Sequence, residues 1–135
     1  SETVAIKPSF KQAWQEQQFA VVLVDHFFEP CYETDRAVRW QIRTTSNEPF
    51  GIAGLWQRWV DPQSAEIVVS FTMLTINADA HPVMRRFHRP ADEKRTPVVL
   101  PGVLFDAWLS ATVDTAPSLL NLSVLPELVS EPVSD

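Results

Sequence analysis

Apolar positions along this chain change period several times, and each change predicts an element. Residues 7–18, "KPSFKQAWQEQQ", place Phe10, Ala13 and Trp14 on one face at helical spacing. Ser9 stands as an N-cap, with Gln12 three residues on as in a capping box. "FAVVLVD", residues 19–25, is too short and too β-branched for a helix and predicts a buried strand. "AVRWQIRT", residues 37–44, alternates Val38, Trp40 and Ile42 against Arg39, Gln41 and Arg43, the pattern of a half-exposed antiparallel strand. "FGIAGLWQRW", residues 50–59, predicts a strand whose two glycines permit a bend or a close backbone approach. "IVVSFTMLTI", residues 67–76, predicts one long strand.

Beyond residue 78 the character changes. Asp79 is an expected N-cap for a short helix, followed by a basic loop and a short strand, "PVVL". "VLFDAWLSATV", residues 103–113, has the spacing of an amphipathic helix. The tail from 115 to 135 is acidic and rich in Leu, Val, Pro and Ser; it predicts one strand near "ELVS" and a fraying end. At least four strands with a few short helices predict a single α+β domain over residues 1–135, β-rich, with a mostly antiparallel, barrel-like sheet.

Composition narrows the function. The chain has 135 residues, 45% of them hydrophobic and 21% charged, enough for one domain with a core. No apolar run approaches the roughly 20 residues of a membrane span, and the first residues show no basic leader followed by an apolar stretch. One cysteine excludes an internal disulfide framework. These features predict a cytoplasmic protein. The net charge of −6 is uneven: all eleven Lys and Arg lie at or before Arg95, against twelve acids there, and the last forty residues carry five acids and no Lys or Arg. An acidic chain with a local basic cluster suits a polyanion bound through one face, not nonspecific coating of DNA.

Four groups of residues could carry chemistry. Glu29 lies among Phe27, Phe28 and Tyr32 after an apolar run. A carboxylate in such surroundings has its charged form disfavoured and can serve as a general acid or base near neutral pH; it can equally be a surface glutamate at a strand end. Cys31 with a histidine elsewhere admits a Cys–His nucleophile, or a small half-buried residue after a proline. His81 and His88, flanked by Asp79 and Asp92, admit a metal, but Pro82 and Pro90 disturb the geometry and no HExxH or CxxC spacing exists; no metal or cofactor is expected. Arg85, Arg86, His88, Arg89, Lys94 and Arg95 form a basic cluster around Phe87. Charge alone favours a solvated loop balanced by Asp92 and Glu93, whereas basic residues beside aromatics suit single-stranded nucleic acid.

The order of segments resembles the SOS response-associated peptidase (SRAP) family. "VDHFFEP" is similar to the family's D-G-F-Y-E-W, "EPFGIAGLWQRW" to A-G-L-W-E-R-W, and "SFTMLTINAD" to F-T-I-L-T-T-x-A. "FHRPADEKRTPVVLP" is similar to H-D-R-M-P-V-I-L with an insertion after the histidine, and "KPSFKQAW" to the segment before the first long strand. The match runs through most of the chain and weakens after about residue 112. "EPCYE" and "NADAHPVMRRFH" look like a phage-associated branch.

The resemblance implies a sensor of abasic sites in single-stranded DNA that acts in the SOS response. In the family, the amine and thiol of an N-terminal cysteine, exposed by self-removal of the initiator methionine, capture the opened sugar's aldehyde as a thiazolidine. By motif, Glu29 and His88 are the proton-transfer residues, and Thr75 and Arg95 lie near the DNA; Arg85, Arg86 and Arg89 would hold flanking phosphates. The sequence departs from the pattern in three ways. It begins "SETVAIKPSF", without Met-Cys-Gly-Arg and after the Asn-Ala-Arg motif, so the family's N-terminal portion is expected to be lacking. His26 stands in place of glycine, and Pro30 in place of tryptophan. The alternatives are a noncovalent single-strand binding module and a phage-related structural or interaction domain without catalysis.

Overall fold

The computed structural model describes residues 6, 8–89 and 91–133. A turn of 3-10 helix, Pro8–Phe10, runs into helix α1 (Lys11–Gln15). The expected face is the buried one: Phe10 and Ala13 enter the core, and the Trp14 ring meets Phe19 edge-on at 5.5 Å. The capping box does not form. The N-cap position falls on Phe10, with no side-chain bond, and Gln12 instead donates to Glu16 one turn later.

Strand β1 (Phe19–Val24) follows and pairs antiparallel with β4 (Phe50–Val60). A bend at Asp25–His26 separates β1 from β2 (Phe27–Cys31), so Glu29 lies in the middle of a second strand and not at the end of the first. β2 pairs with β3 (Val38–Thr44), whose other edge takes β9 (Leu128–Pro132). The tail strand expected near "ELVS" therefore closes this second sheet. The tail also buries Ala116, Leu120 and Leu128, while residues 134 and 135, where fraying was expected, lie outside the described residues.

β4 is the hinge of the architecture. One edge takes β1; the other is shared by β8 (Val99–Leu100) and β5 (Ile67–Met73). From Phe50 to Leu55 both faces are buried, which explains why "FGIAGL" lacks the polar alternation of a half-exposed strand. Ala53 and Leu55 face a core with Phe19, Leu74, Ile76, Val98, Leu100 and Trp108. Phe50 and Ile52 face a second core with Ile42, Met84, Phe87, Val99 and Leu128. Both glycines are sites of close approach: a Cβ on Gly54 would lie 2.5 Å from the Thr72 carbonyl oxygen, and one on Gly51 would strike Val21 and the Phe105 ring. Beyond Trp56 the β4–β5 hairpin leaves the core, and Trp59, Ile67, Val69 and Phe71 are exposed.

The long strand expected over residues 67–76 is two strands, β5 and β6 (Thr75–Asn77), broken at Leu74. The break has a specific cause. Leu74 N–H donates to Ala53 O at 2.9 Å, Val98 N–H to Leu74 O at 3.0 Å, and Ala53 N–H to Val98 O at 2.9 Å. This triangle of fully buried residues ends the β4–β5 ladder and hands the chain to β7 (Arg95–Pro97), which pairs with β6. Among the described residues, three antiparallel sheets wrap around two cores without forming a closed barrel.

The helix expected over 103–113 is shorter: a 3-10 turn, Gly102–Leu104, and α2 (Phe105–Leu109). Its buried residue, Trp108, packs on Phe19 at a 44° tilt with 4.7 Å between ring centroids and donates from Nε1 to Ala20 O at 2.8 Å. No described helix is long and apolar enough to cross a membrane.

Candidate active site

Pleating of β2 puts Phe27, Glu29 and Cys31 on one face, opposite Ile42, Trp40 and Val38 of β3. Phe27 and Cys31 belong to the second core, so Glu29 is carried into it between them. Its side chain is 15% exposed. Removal from water raises its pKa above the ordinary glutamate value; the charge of His88 opposes that rise without cancelling it.

His88 arrives from a different part of the chain. A 3-10 turn, Met84–Arg86, precedes it. The N-cap residue of this turn is Val83, and the side chain that binds its first N–H groups is that of His81, not Asp79: His81 Nδ1 accepts from Val83 N–H at 3.1 Å and Met84 N–H at 3.0 Å. Burial lowers the His81 pKa, which keeps Nδ1 free of a proton to accept those bonds. Asp79 instead has its N–H bound by the Asn77 side chain. Phe87 is fully buried and bridges to Cys31, anchoring the turn against β2. His88 then takes a left-handed backbone, φ 70°, at a cost of about 1–2 kcal/mol for a residue with a Cβ. Its N–H donates to Pro30 O at 3.0 Å. The result is His88 Nε2 3.2 Å from Glu29 Oε2.

His88 lines a cleft of about 300 Å3 with Tyr32, Glu33, Arg85, Arg86 and Lys94, whereas Glu29 lines a separate hollow of about 260 Å3 with Phe28, Pro30, Ala37 and Arg39. The structure thus brings Glu29 to His88, and His88 to Arg85 and Arg86. Arg85 is exposed, whereas Arg86 bonds Glu33 at 2.9 Å and lies over the Trp40 ring at 4.5 Å. Arg89 lies 5.6 Å over Tyr32. Thr75 and Arg95 bind each other: Arg95 donates to the Thr75 carbonyl at 2.7 Å and to its hydroxyl at 3.2 Å, stapling β6 to β7. Neither lines the cleft. Arg95 also pairs with Glu93.

Cys31 is 3% exposed, its thiol pKa is pushed up by burial, and it bonds Glu33 and the Arg86 carbonyl. A buried, protonated thiol is a poor nucleophile. Among the described residues no group of three or more His, Cys, Asp or Glu side chains could hold a metal ion.

Four contributors escaped the sequence reading: Glu33, the partner of Arg86; Tyr32 and Trp40, the rings beneath arginines; and His81 as a cap. Only the last left a signal, an acceptor side chain two and three positions ahead of turn N–H groups.

The fold belongs to a class that the comparisons identify. The family model for "SOS response associated peptidase (SRAP)" matches residues 1–135, and the chain belongs to this family. A solved protein from Bordetella bronchiseptica is 34% identical, with a TM-score of 0.84 over 93% of this chain and 59% of that one. One from Bacteroides thetaiotaomicron, 20% identical, shares the fold with a TM-score of 0.76 over 96% of this chain and 54% of its own. A phage-related protein from B. bronchiseptica, 23% identical, shares it with a TM-score of 0.63 over 93% and 57%. The chain spans under two thirds of the length of each. Comparison with curated proteins gives no match.

Proposed function

We propose that this chain carries the acid–base half of a DNA-damage-responsive SRAP protein, which binds single-stranded DNA and joins covalently to abasic sites. The observation that carries the reading is the 3.2 Å contact between Glu29, whose pKa burial raises, and His88 at the edge of a cleft with arginines. A carboxyl group that keeps its proton closer to neutral pH can protonate the hydroxyl that leaves as water when an amine condenses with an aldehyde. His88 Nε2, in hydrogen-bond reach of Glu29, exchanges a proton with it and acts at the opened sugar's oxygen. In this reading the amine and thiol that close the thiazolidine are those the family takes from an N-terminal cysteine; buried Cys31 is unsuited to that role. The same pair serves removal of the initiator methionine. Arg85, Arg86 and Arg89 contact the flanking phosphates, which position the strand without reading its sequence, and Thr75 and Arg95 hold the neighbouring edge.

The test uses the chain preceded by a segment beginning in cysteine, with an abasic oligonucleotide. Glu29→Gln and His88→Ala should each slow crosslinking by about 10²–10⁴-fold, the usual worth of a general acid or base. Noncovalent affinity should stay within a few-fold, and Cys31→Ser should crosslink like the parent. Parental rates in both site variants would end the catalytic assignment.

A further inference from the structure

His88 sits in a conformation that its own side chain disfavours, and something must hold it there. Two groups grip its peptide from opposite sides. Pro30 O accepts its N–H at 3.0 Å, and Lys94 Nζ donates to its carbonyl at 2.8 Å. The same ammonium donates to the Arg89 carbonyl at 3.0 Å. Lys94 is itself anchored through its backbone, because Ala78 N–H donates to Lys94 O at 2.7 Å. The carbonyls of His88 and Arg89 converge on one cation, an arrangement that a compact ammonium with three donors suits and a neutral side chain cannot match.

We infer that Lys94 is a positioning residue: its ammonium clamps the left-handed His88 backbone so that Nε2 meets Glu29, and it is not one of the cations that bind DNA phosphate. Within the basic cluster, Lys94 is spent on two backbone oxygens while Arg85 is exposed to solvent. The inference rests on the reading of Glu29 and His88 as the proton-handling pair, but its test needs no crosslinking chemistry.

The experiment follows the titration of the Glu29 carboxyl carbon by NMR in the present chain, without DNA, in the parent, Lys94→Met, Lys94→Arg and His88→Ala. The attraction of His88 holds the Glu29 pKa below the level burial alone would set. Releasing His88 should therefore move the Glu29 midpoint upward in Lys94→Met, toward that of His88→Ala, while Lys94→Arg stays nearer the parent. In parallel, the salt slope of binding to an intact single-stranded oligonucleotide should be unchanged in Lys94→Met. Arg85→Ala should reduce that slope by about one. A Glu29 midpoint unmoved by Lys94→Met would overturn the inference, as would a slope lowered by about one in that variant. If Lys94→Met and the milder Lys94→Gln both fail to fold, Lys94 is a scaffold residue and the inference also fails. A failed crosslinking reaction beside an upward Glu29 shift would count against the function and leave the clamp standing.

Discussion

Glu29→Gln should make the protein more stable at neutral pH relative to its acid stability, which is the reverse of losing an ordinary ion pair. Burial raises the Glu29 pKa in the fold, so the native state binds this proton more tightly than the unfolded chain does. Between the unfolded value, near 4.5, and the higher folded value, the native state holds more protons than the unfolded one. Stability contributed by this site is therefore full below the unfolded pKa and lost as pH rises through the folded one. One proton sets the steepest possible slope, a loss of about 1.4 kcal/mol per pH unit. Glu33 and Glu93 work the other way: Arg86 and Arg95 respectively hold their pKa values down, so what they contribute is lost on acidification. Those contributions are common to parent and variant, and the difference between the two isolates Glu29. Urea unfolding at closely spaced pH values measures it. The parent minus Glu29→Gln difference should fall as pH rises above about 4.5 and then level off. Superimposable curves would refute the claim that burial perturbs this carboxyl.

The other predictions test the parts that hold the site. Trp108→Phe should cost about 1 kcal/mol, because the Ala20 carbonyl loses its indole donor, and chemical denaturation reads the loss. His81→Ala should cost about 1 kcal/mol through the uncapped turn, with His81→Asn recovering part of it; thermal melts compare the two. Replacing Arg85, Arg86 and Arg89 together with alanine should weaken single-stranded DNA binding and flatten its salt dependence, measured by fluorescence anisotropy at several salt concentrations.

Most of the strands were legible because local pattern and tertiary role agree in them. β3 alternates because one of its faces packs on a core, and β4 is apolar throughout its first half because both faces do. The break at Leu74 was not legible, since it is made by Ala53 and Val98, distant in sequence, bonding to one peptide. Likewise the Asp25–His26 bend hid β2, and Glu29 read as a strand end. The carboxylate's apolar neighbours marked it from sequence alone. Its contact with His88, far along the chain, is supplied by folding. The partners of the basic cluster were also hidden. Arg86, Arg89, Lys94 and Arg95 read as a charged stretch, yet each has a partner that only folding supplies: Glu33, Tyr32, two carbonyls and Thr75.

The central claim is that Glu29 and His88 act as one unit on DNA, and a double-variant cycle of crosslinking rates tests it most directly. Parent, Glu29→Gln, His88→Ala and the double variant would be compared on one abasic oligonucleotide, each with the cysteine-bearing segment in front. Residues that pass a proton between them lose their function together, so the double variant should be about as slow as the slower single variant. Losses that multiply in the double variant, or no loss in either single one, would contradict the account.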